Sequence, residues 1–195
     1  MRILTVSDVE SEYFYDFYSP GKLDGFDLII ACGDLSVDYL EFLVTMAGCP
    51  LLYVHGNHDD KFRRAPEGCI CIDESYFEYN GIRIVGFSGS HRYKKGKYMY
   101  TEKQMRRKIM RIFPKIIKHK GFDILVTHAP ARHINDNDTL SHRGFECFNR
   151  LIKRYRPKYF LHGHIHRNYG AFIPQKTQFG STTVINAFNY CIIEI

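Results

Sequence analysis

Five short apolar runs, residues 3–6, 28–32, 51–55, 124–127 and 159–162, constrain this chain more than any other feature of its sequence. A strand with one wet face alternates apolar and polar residues. A run that is apolar almost throughout belongs to a sheet covered on both faces. Helical patterns separate the runs. Residues 101–118 carry Met105, Ile109, Ile112 and Ile116 at helical spacing, and 144–155 repeat the pattern with Phe145, Phe148, Leu151 and Ile152. A third helix is expected over 37–46. Thr101 and Gln104 stand in capping-box spacing, and Pro114 is expected to kink or end its helix. The expected architecture is α/β: a two-sheet sandwich with helices on its outer faces.

Hairpins interrupt this alternation. Asn80-Gly81, between 77–79 and 82–87, is a strong two-residue turn signal. Residues 169–195 read as two or three antiparallel strands. With no internal repeat, low-complexity tract or linker, residues 1–195 are expected to form a single domain, long enough to bury a sizeable core.

The net charge of +6 leans mildly toward anionic partners. Much of it lies in 103–120, where the apolar stripe places the lysines and arginines on the opposite side of the helix. That describes a solvated helix face, and a nucleic-acid partner is not indicated. No apolar run is long enough to span a membrane, and Met1 leads straight into a strand-like stretch, so a cytoplasmic location is expected. The six cysteines form no zinc-type pair and read as reduced, mostly buried thiols.

Each of the five apolar runs ends in polar residues. Asp8 and Glu10 follow the first, Asp34 the second, Asn57, His58 and Asp59 the third, His128 the fourth, and His164 with His166 the fifth. Ligands of α/β sheets gather beyond the carboxyl ends of the strands. Neutral imidazole is the commonest protein ligand for a metal. Any one cluster has a plain explanation as a turn or cap, whereas five along one sheet edge point to a metal site.

The blocks read Asp8-Val9-Glu10, Gly33-Asp34, Gly56-Asn57-His58-Asp59, Thr127-His128-Ala129-Pro130 and Gly163-His164-Ile165-His166. In this order they resemble the calcineurin-like metallophosphoesterase superfamily. Its pattern is DxH, GDxx, GNH followed by D or E, a histidine in a THxP-like turn, and GHxH. The resemblance implies a four-layer αββα fold and a metal-dependent phosphoesterase, in compact members often a phosphodiesterase acting on a small phosphoester. It also implies two divalent metals; three candidate carboxylates at the first, Asp8, Glu10 and Asp34, make Mn²⁺ the first choice, with Fe, Zn²⁺ and Mg²⁺ as alternatives. Asp8 and His166 would hold one metal, Asn57, His128 and His164 the other, and Asp34 would bridge both. Cations roughly 3.5–4 Å apart clamp a phosphoryl group and acidify water into a nucleophile.

His58 would assist the leaving group rather than bind metal. Asp59 would orient His58 or serve as a helix cap. Asn57, His58 and Arg92 are the candidate substrate contacts, with Tyr93, Arg132, His142 and Arg143 as softer ones. His162 has no role in the pattern and reads as packing. Glu10 departs from the pattern, which has histidine there. It either ligates the first metal, adding a third carboxylate beside Asp8 and Asp34, or points to solvent. The superfamily also includes a non-catalytic interaction scaffold that has lost the catalytic histidine. The alternative to an enzyme is therefore a scaffold retaining the fold, against which His58 argues.

Overall fold

The structure, a computed structural model, describes residues 1–167 and 173–195. The first half of the chain contains β1 (Arg2–Ser7), β2 (Leu28–Ala31), α1 (Val37–Ala47), β3 (Leu51–Tyr53) and β4 (Cys69–Cys71). Next come the hairpin β5 (Ser75–Tyr79) and β6 (Ile82–Phe87), then the two-residue strands β7 (Ser90–His91) and β8 (Met99–Tyr100). The second half contains α2 (Glu102–Lys118), β9 (Ile124–Thr127), α3 (Glu146–Tyr155), β10 (Tyr159–His162), β11 (Lys176–Phe179), β12 (Thr182–Asn186) and β13 (Asn189–Glu194).

The strands form two main sheets, ordered β13-β1-β2-β3-β4 and β11-β12-β10-β9-β6-β5. β1 to β4 are parallel, and so are β6, β9, β10 and β12. Alternate residues of a strand face opposite sides, and the packing follows that period. Ile3, Ile30, Leu52, Ile124, Val126, Leu161 and Ile185 fill the space between the sheets. Leu4, Val6, Ile29 and Leu51 pack under α1, while Leu125, Phe160 and Val184 pack under α2 and α3. This is the expected two-sheet sandwich with outer helices. Among the described residues no helix is long and apolar enough to cross a membrane.

Local signals behave as their chemistry requires. Asn80 and Gly81 both take positive φ, 48° and 78°, the geometry of a tight turn matched to strand twist. Thr101 and Gln104 complete their capping box. Pro114, expected to kink or end its helix, lies inside it, and the helix runs on to Lys118. Pro114 and Met110 are both exposed, so the hydrogen bond that proline removes is lost on the side where water can replace it. Lys108 corrects the reading of the charged face. It is 5% exposed, on the apolar side of α2, and its ammonium lies 3.0 Å from Asp73 and 3.2 Å from Glu74.

The C-terminal strands are antiparallel only in part. β11 and β12 form a hairpin, but β12 runs parallel to β10 in one sheet, and β13 crosses to pair antiparallel with β1 in the other. Residues 169–172 of that expectation lie outside the described residues.

Candidate metal centre

The carboxyl ends of β1, β2, β3, β9 and β10 meet at one edge of the sandwich, and the chain is pulled unusually tight there. Asp8, Asp34 and His164 all adopt left-handed backbone, with φ of 66°, 57° and 67°. Aspartate and histidine visit this region more readily than most residues, and such conformations cluster at functional sites. Gly163 sits where a Cβ would collide with Ser7 Oγ and stand 2.6 Å from Asp8 Oδ2. A Cβ at Gly56 would likewise strike the Asp34 carboxylate. The glycines of the third and fifth blocks therefore serve close approach between strand ends.

Donor atoms of Asp34, His128 and His164 all lie within 4.8 Å of one another. His128 is fully buried. Its Nδ1 donates to the Cys32 carbonyl at 2.8 Å, which leaves Nε2 facing Asn57 Oδ1 at 3.1 Å and Asp34 Oδ2 at 3.3 Å. His164 donates from Nε2 to the Ser141 carbonyl at 2.6 Å, leaving its Nδ1 as the lone-pair nitrogen. Metal-binding histidines characteristically tie their second ring nitrogen in this way, which fixes tautomer and orientation. Burial lowers His164 to about 3, so it is held as the neutral ligand form.

The electrostatics at Asp34 call for a positive charge. Burial alone would raise its carboxyl. The charge and hydrogen bond of His128, with the His58 amide donating to Oδ1 at 2.7 Å, instead hold it well below the usual range. Burial would lower His128, but Asp34 and Asp8 outweigh it and push it up to about 9. A divalent cation answers the same demand. Asn57 presents Oδ1, the amide atom able to bind a cation, toward His128 Nε2, while its Nδ2 is buried without a hydrogen-bond partner. The donor set fits a metal.

The other expected residues are less tightly gathered. Asp8 has no exposed side-chain surface, and both its oxygens accept from the His164 amide, at 3.0 and 2.9 Å. Burial, reinforced by Asp34, raises its carboxyl to about 6. His166 Nε2 stands 3.7 Å from Asp8, with 32% of its side chain exposed. Glu10 is partly buried and lies outside the cavity lined by Asp8, Asp34, Asn57, His58, His164 and His166. Its charge acts instead on the phenol of Tyr39.

His58 is exposed at the rim and caps a one-turn 3-10 helix, Asp59–Lys61. The Asp59 carboxylate accepts from the backbone amides of Gly56 at 2.7 Å and Asp34 at 3.1 Å, not from the His58 imidazole. Its part here is to hold the loop that presents Asp34. Burial, with the nearby charge of Asp34, raises it to about 6.

Arg92 is drawn away from the site. β7 and β8 pair Ser90 with Met99 and His91 with Tyr100, and the Arg92 guanidinium closes on the Met99 carbonyl. Tyr93, His142 and Ser141 line the donor cavity in its place. Tyr93 and His142 were softer sequence candidates; Ser141 acts through its carbonyl, and no sequence signal marks that role. His162 faces the α3 side with Phe160, its ring 5.5 Å from that of Phe160, and is lowered by burial to about 4.

A family model for calcineurin-like phosphoesterases matches residues 1–168. The chain belongs to the calcineurin-like phosphoesterase family. UPF0046 protein T07D4.2 of Caenorhabditis elegans is 28% identical over 119 residues. That match takes in 60% of this chain and 29% of that protein, so it spans under a third of the relative's length. The crystal structure of TT1561 of Thermus thermophilus superposes with a TM-score of 0.65 at 16% identity, covering 96% of this chain and 89% of that one. A further crystal structure gives 0.66 at 12% identity, covering 98% and 94%. These two show a shared fold.

Proposed function

We propose that this calcineurin-like phosphoesterase is a metal-dependent hydrolase of small phosphodiesters, folded as one domain over residues 1–195. The observation that carries the reading is the convergence of Asp34, His128 and His164 beside an exposed His58. Asn57, His128 and His164 would hold one divalent metal, Asp8 and His166 the other, and Asp34 would serve both, with Mn²⁺ the expected ion. When bound, the two cations neutralise the phosphoryl oxygens and acidify water. A cytoplasmic location belongs to the same reading and is supported by six free thiols.

The chain's own residues do the rest. The His58 backbone amide is fixed to Asp34 Oδ1, which holds the base of its side chain beside the donors. From there the imidazole gives a proton to the leaving oxygen as the bond to phosphorus breaks. Asp59 keeps Asp34 in place through its amide.

The test is metal analysis of the purified protein together with hydrolysis of bis-p-nitrophenyl phosphate in Mn²⁺. His58→Ala should keep its metal and lose about 10²–10⁴-fold in turnover, the usual range for general acid–base assistance. Near-normal turnover in a metal-replete variant would remove His58 from the mechanism. Wild-type protein that takes up metal at neither position and hydrolyses nothing would leave the scaffold alternative.

A further inference from the structure

The donor cavity has a neighbour. A second cavity, of about 420 Å³, adjoins it, and both are lined by Asp34 and His58, so His58 stands between them. The second cavity has apolar walls in Leu35, Val37 and Phe62, with Lys61 and Arg63 also lining it. A third cation there, Arg64, is neutralised by Glu41, with Asp38 3.7 Å away. Asp59, also in the lining, accepts two backbone amides at Oδ2. Lys61 and Arg63 are exposed and enter no ion pair among the described residues.

We propose that this second cavity receives the leaving alcohol, and that the preferred substrate is a phosphodiester whose leaving alcohol joins an apolar body to an anionic group. The inference rests on His58 acting as the leaving-group acid. In the hydrolysis, the oxygen of water forms a bond to phosphorus and the bond from phosphorus to the leaving oxygen breaks. His58 gives its proton to that oxygen. One proton of the water restores His58, and the other leaves the monoester product for solvent. An alcohol that takes its proton from His58 lies against it, and the second cavity is the space outside the donor cavity that His58 also lines. Its apolar walls suit a flat or aliphatic body, and its size is that of a small-ligand site. Lys61 and Arg63 suit an anion carried beyond that body. The first turn of α1 also forms part of the wall, where the positive end of its dipole is offset by Asp38, so the anion is left to Lys61 and Arg63.

Two chromogenic diesters test this directly: methyl p-nitrophenyl phosphate and methyl 3-carboxy-4-nitrophenyl phosphate. They differ in a carboxylate on the leaving ring. The measured quantity is the ratio of their kcat/KM values, compared between wild type and Lys61→Gln/Arg63→Gln. The double variant should lower the preference for the carboxylated ester by about fivefold, the scale of an exposed charge interaction. Salt near 1 M should lower the wild-type ratio in the same direction. A ratio unchanged by the substitutions overturns the proposal.

Calorimetric binding of the two phenols, 5-hydroxy-2-nitrobenzoate and p-nitrophenol, separates this inference from the hydrolase reading. If wild type hydrolyses neither ester but binds the carboxylated phenol more tightly, and the variant loses that difference, the anion subsite stands and the hydrolase reading fails. If wild type binds both phenols equally, the subsite is wrong whether or not the esters are hydrolysed.

Discussion

His128 and His164 reach the centre with their second ring nitrogens already engaged by the carbonyls of Cys32 and Ser141. His166, two residues further along the same motif, stands 3.7 Å from Asp8 with about a third of its side chain in solvent. The inner half of the candidate centre, built on Asn57, His128 and His164, is therefore organised by the protein itself. The outer half joins a buried Asp8 to His166, whose side chain is 32% exposed, and that partly solvated ring has more freedom to lose when a cation binds. Preorganised ligands lose less freedom on binding. The inner metal should bind more tightly and exchange more slowly than the outer one.

The largest effect is expected from Asp34→Asn, because the carboxylate is assigned to both metals. Losing an outer-shell partner typically costs about 10–100-fold in metal affinity. Removing the bridge should exceed that at both positions, measured as metal per chain after dialysis. A variant retaining both metals would break the comparison at its centre, since neither half could then depend on the bridge.

The inner half is also held from behind. Lys108 pairs with Asp73, whose Oδ1 accepts from the Ser88 amide at 2.8 Å. Ser88 Oγ accepts from the His55 amide at 2.8 Å, and His55 leads directly into Gly56-Asn57-His58. Breaking a buried ion pair by removing one partner costs about 3–5 kcal/mol. Asp73 is partly accessible and the site has a second carboxylate in Glu74, so the low end, about 3 kcal/mol, is expected for Asp73→Ala in urea unfolding. The variant should also weaken the inner metal more than the outer. Equal weakening of both would show that the chain from α2 steadies the whole edge and not one half of it.

Much of this site was legible because its parts are local. Each ligand follows directly after an apolar strand, and a parallel sheet brings successive strand ends to one edge. Gly163 and Gly56 are points of close approach to Ser7 and Asp34, partners far away in sequence, so these contacts emerge only in the fold. What stayed hidden depended on tertiary partners. Lys108 reads as one more surface lysine until Asp73 and Glu74 are found beneath it. Arg92 and Tyr93 are neighbours, and only the β7–β8 pairing decides which one faces the cavity. β12 and β13 look like consecutive strands of one sheet, yet the chain at Ala187-Phe188 carries them into different sheets. Asp59 has the chemistry to orient His58, but the amides of Gly56 and Asp34 engage its carboxylate.

A smaller effect is expected from His166→Ala. The side chain is partly solvated and makes a long contact to Asp8, and water can take the position it leaves. Affinity for the outer metal should fall by about tenfold, at the low end of the range seen for partners around a metal, with the inner metal retained. Activity should recover at higher Mn²⁺. Loss of both metals would show that the two halves bind as one unit.

Glu10 is expected to give the smallest effect, and it sharpens the comparison most, because it tests whether the outer half has a third ligand of its own. The family pattern has histidine at this position, two residues after Asp8, and a carboxylate with that spacing can ligate Mn²⁺ or Mg²⁺. The structure leaves Glu10 outside the donor cavity, with its charge acting on Tyr39. At that distance it contributes as a partly screened charge, worth roughly 0.2–1 kcal/mol, or up to about fivefold in affinity. Glu10→Gln should therefore raise the Mn²⁺ concentration for half-maximal activity by a few-fold and leave the inner metal unchanged. Glu10→His restores the family pattern with a softer donor, and should move metal preference toward Zn²⁺ or Fe if the side chain reaches the outer metal. The measurement is activity against metal concentration for wild type and both variants, beside direct metal binding. A loss well beyond fivefold in Glu10→Gln would mean that Glu10 swings in as a ligand and that the outer half is assembled by its metal. Identical curves for all three proteins would mean that Glu10 is no ligand at all, leaving the outer metal to Asp8, Asp34, His166 and water.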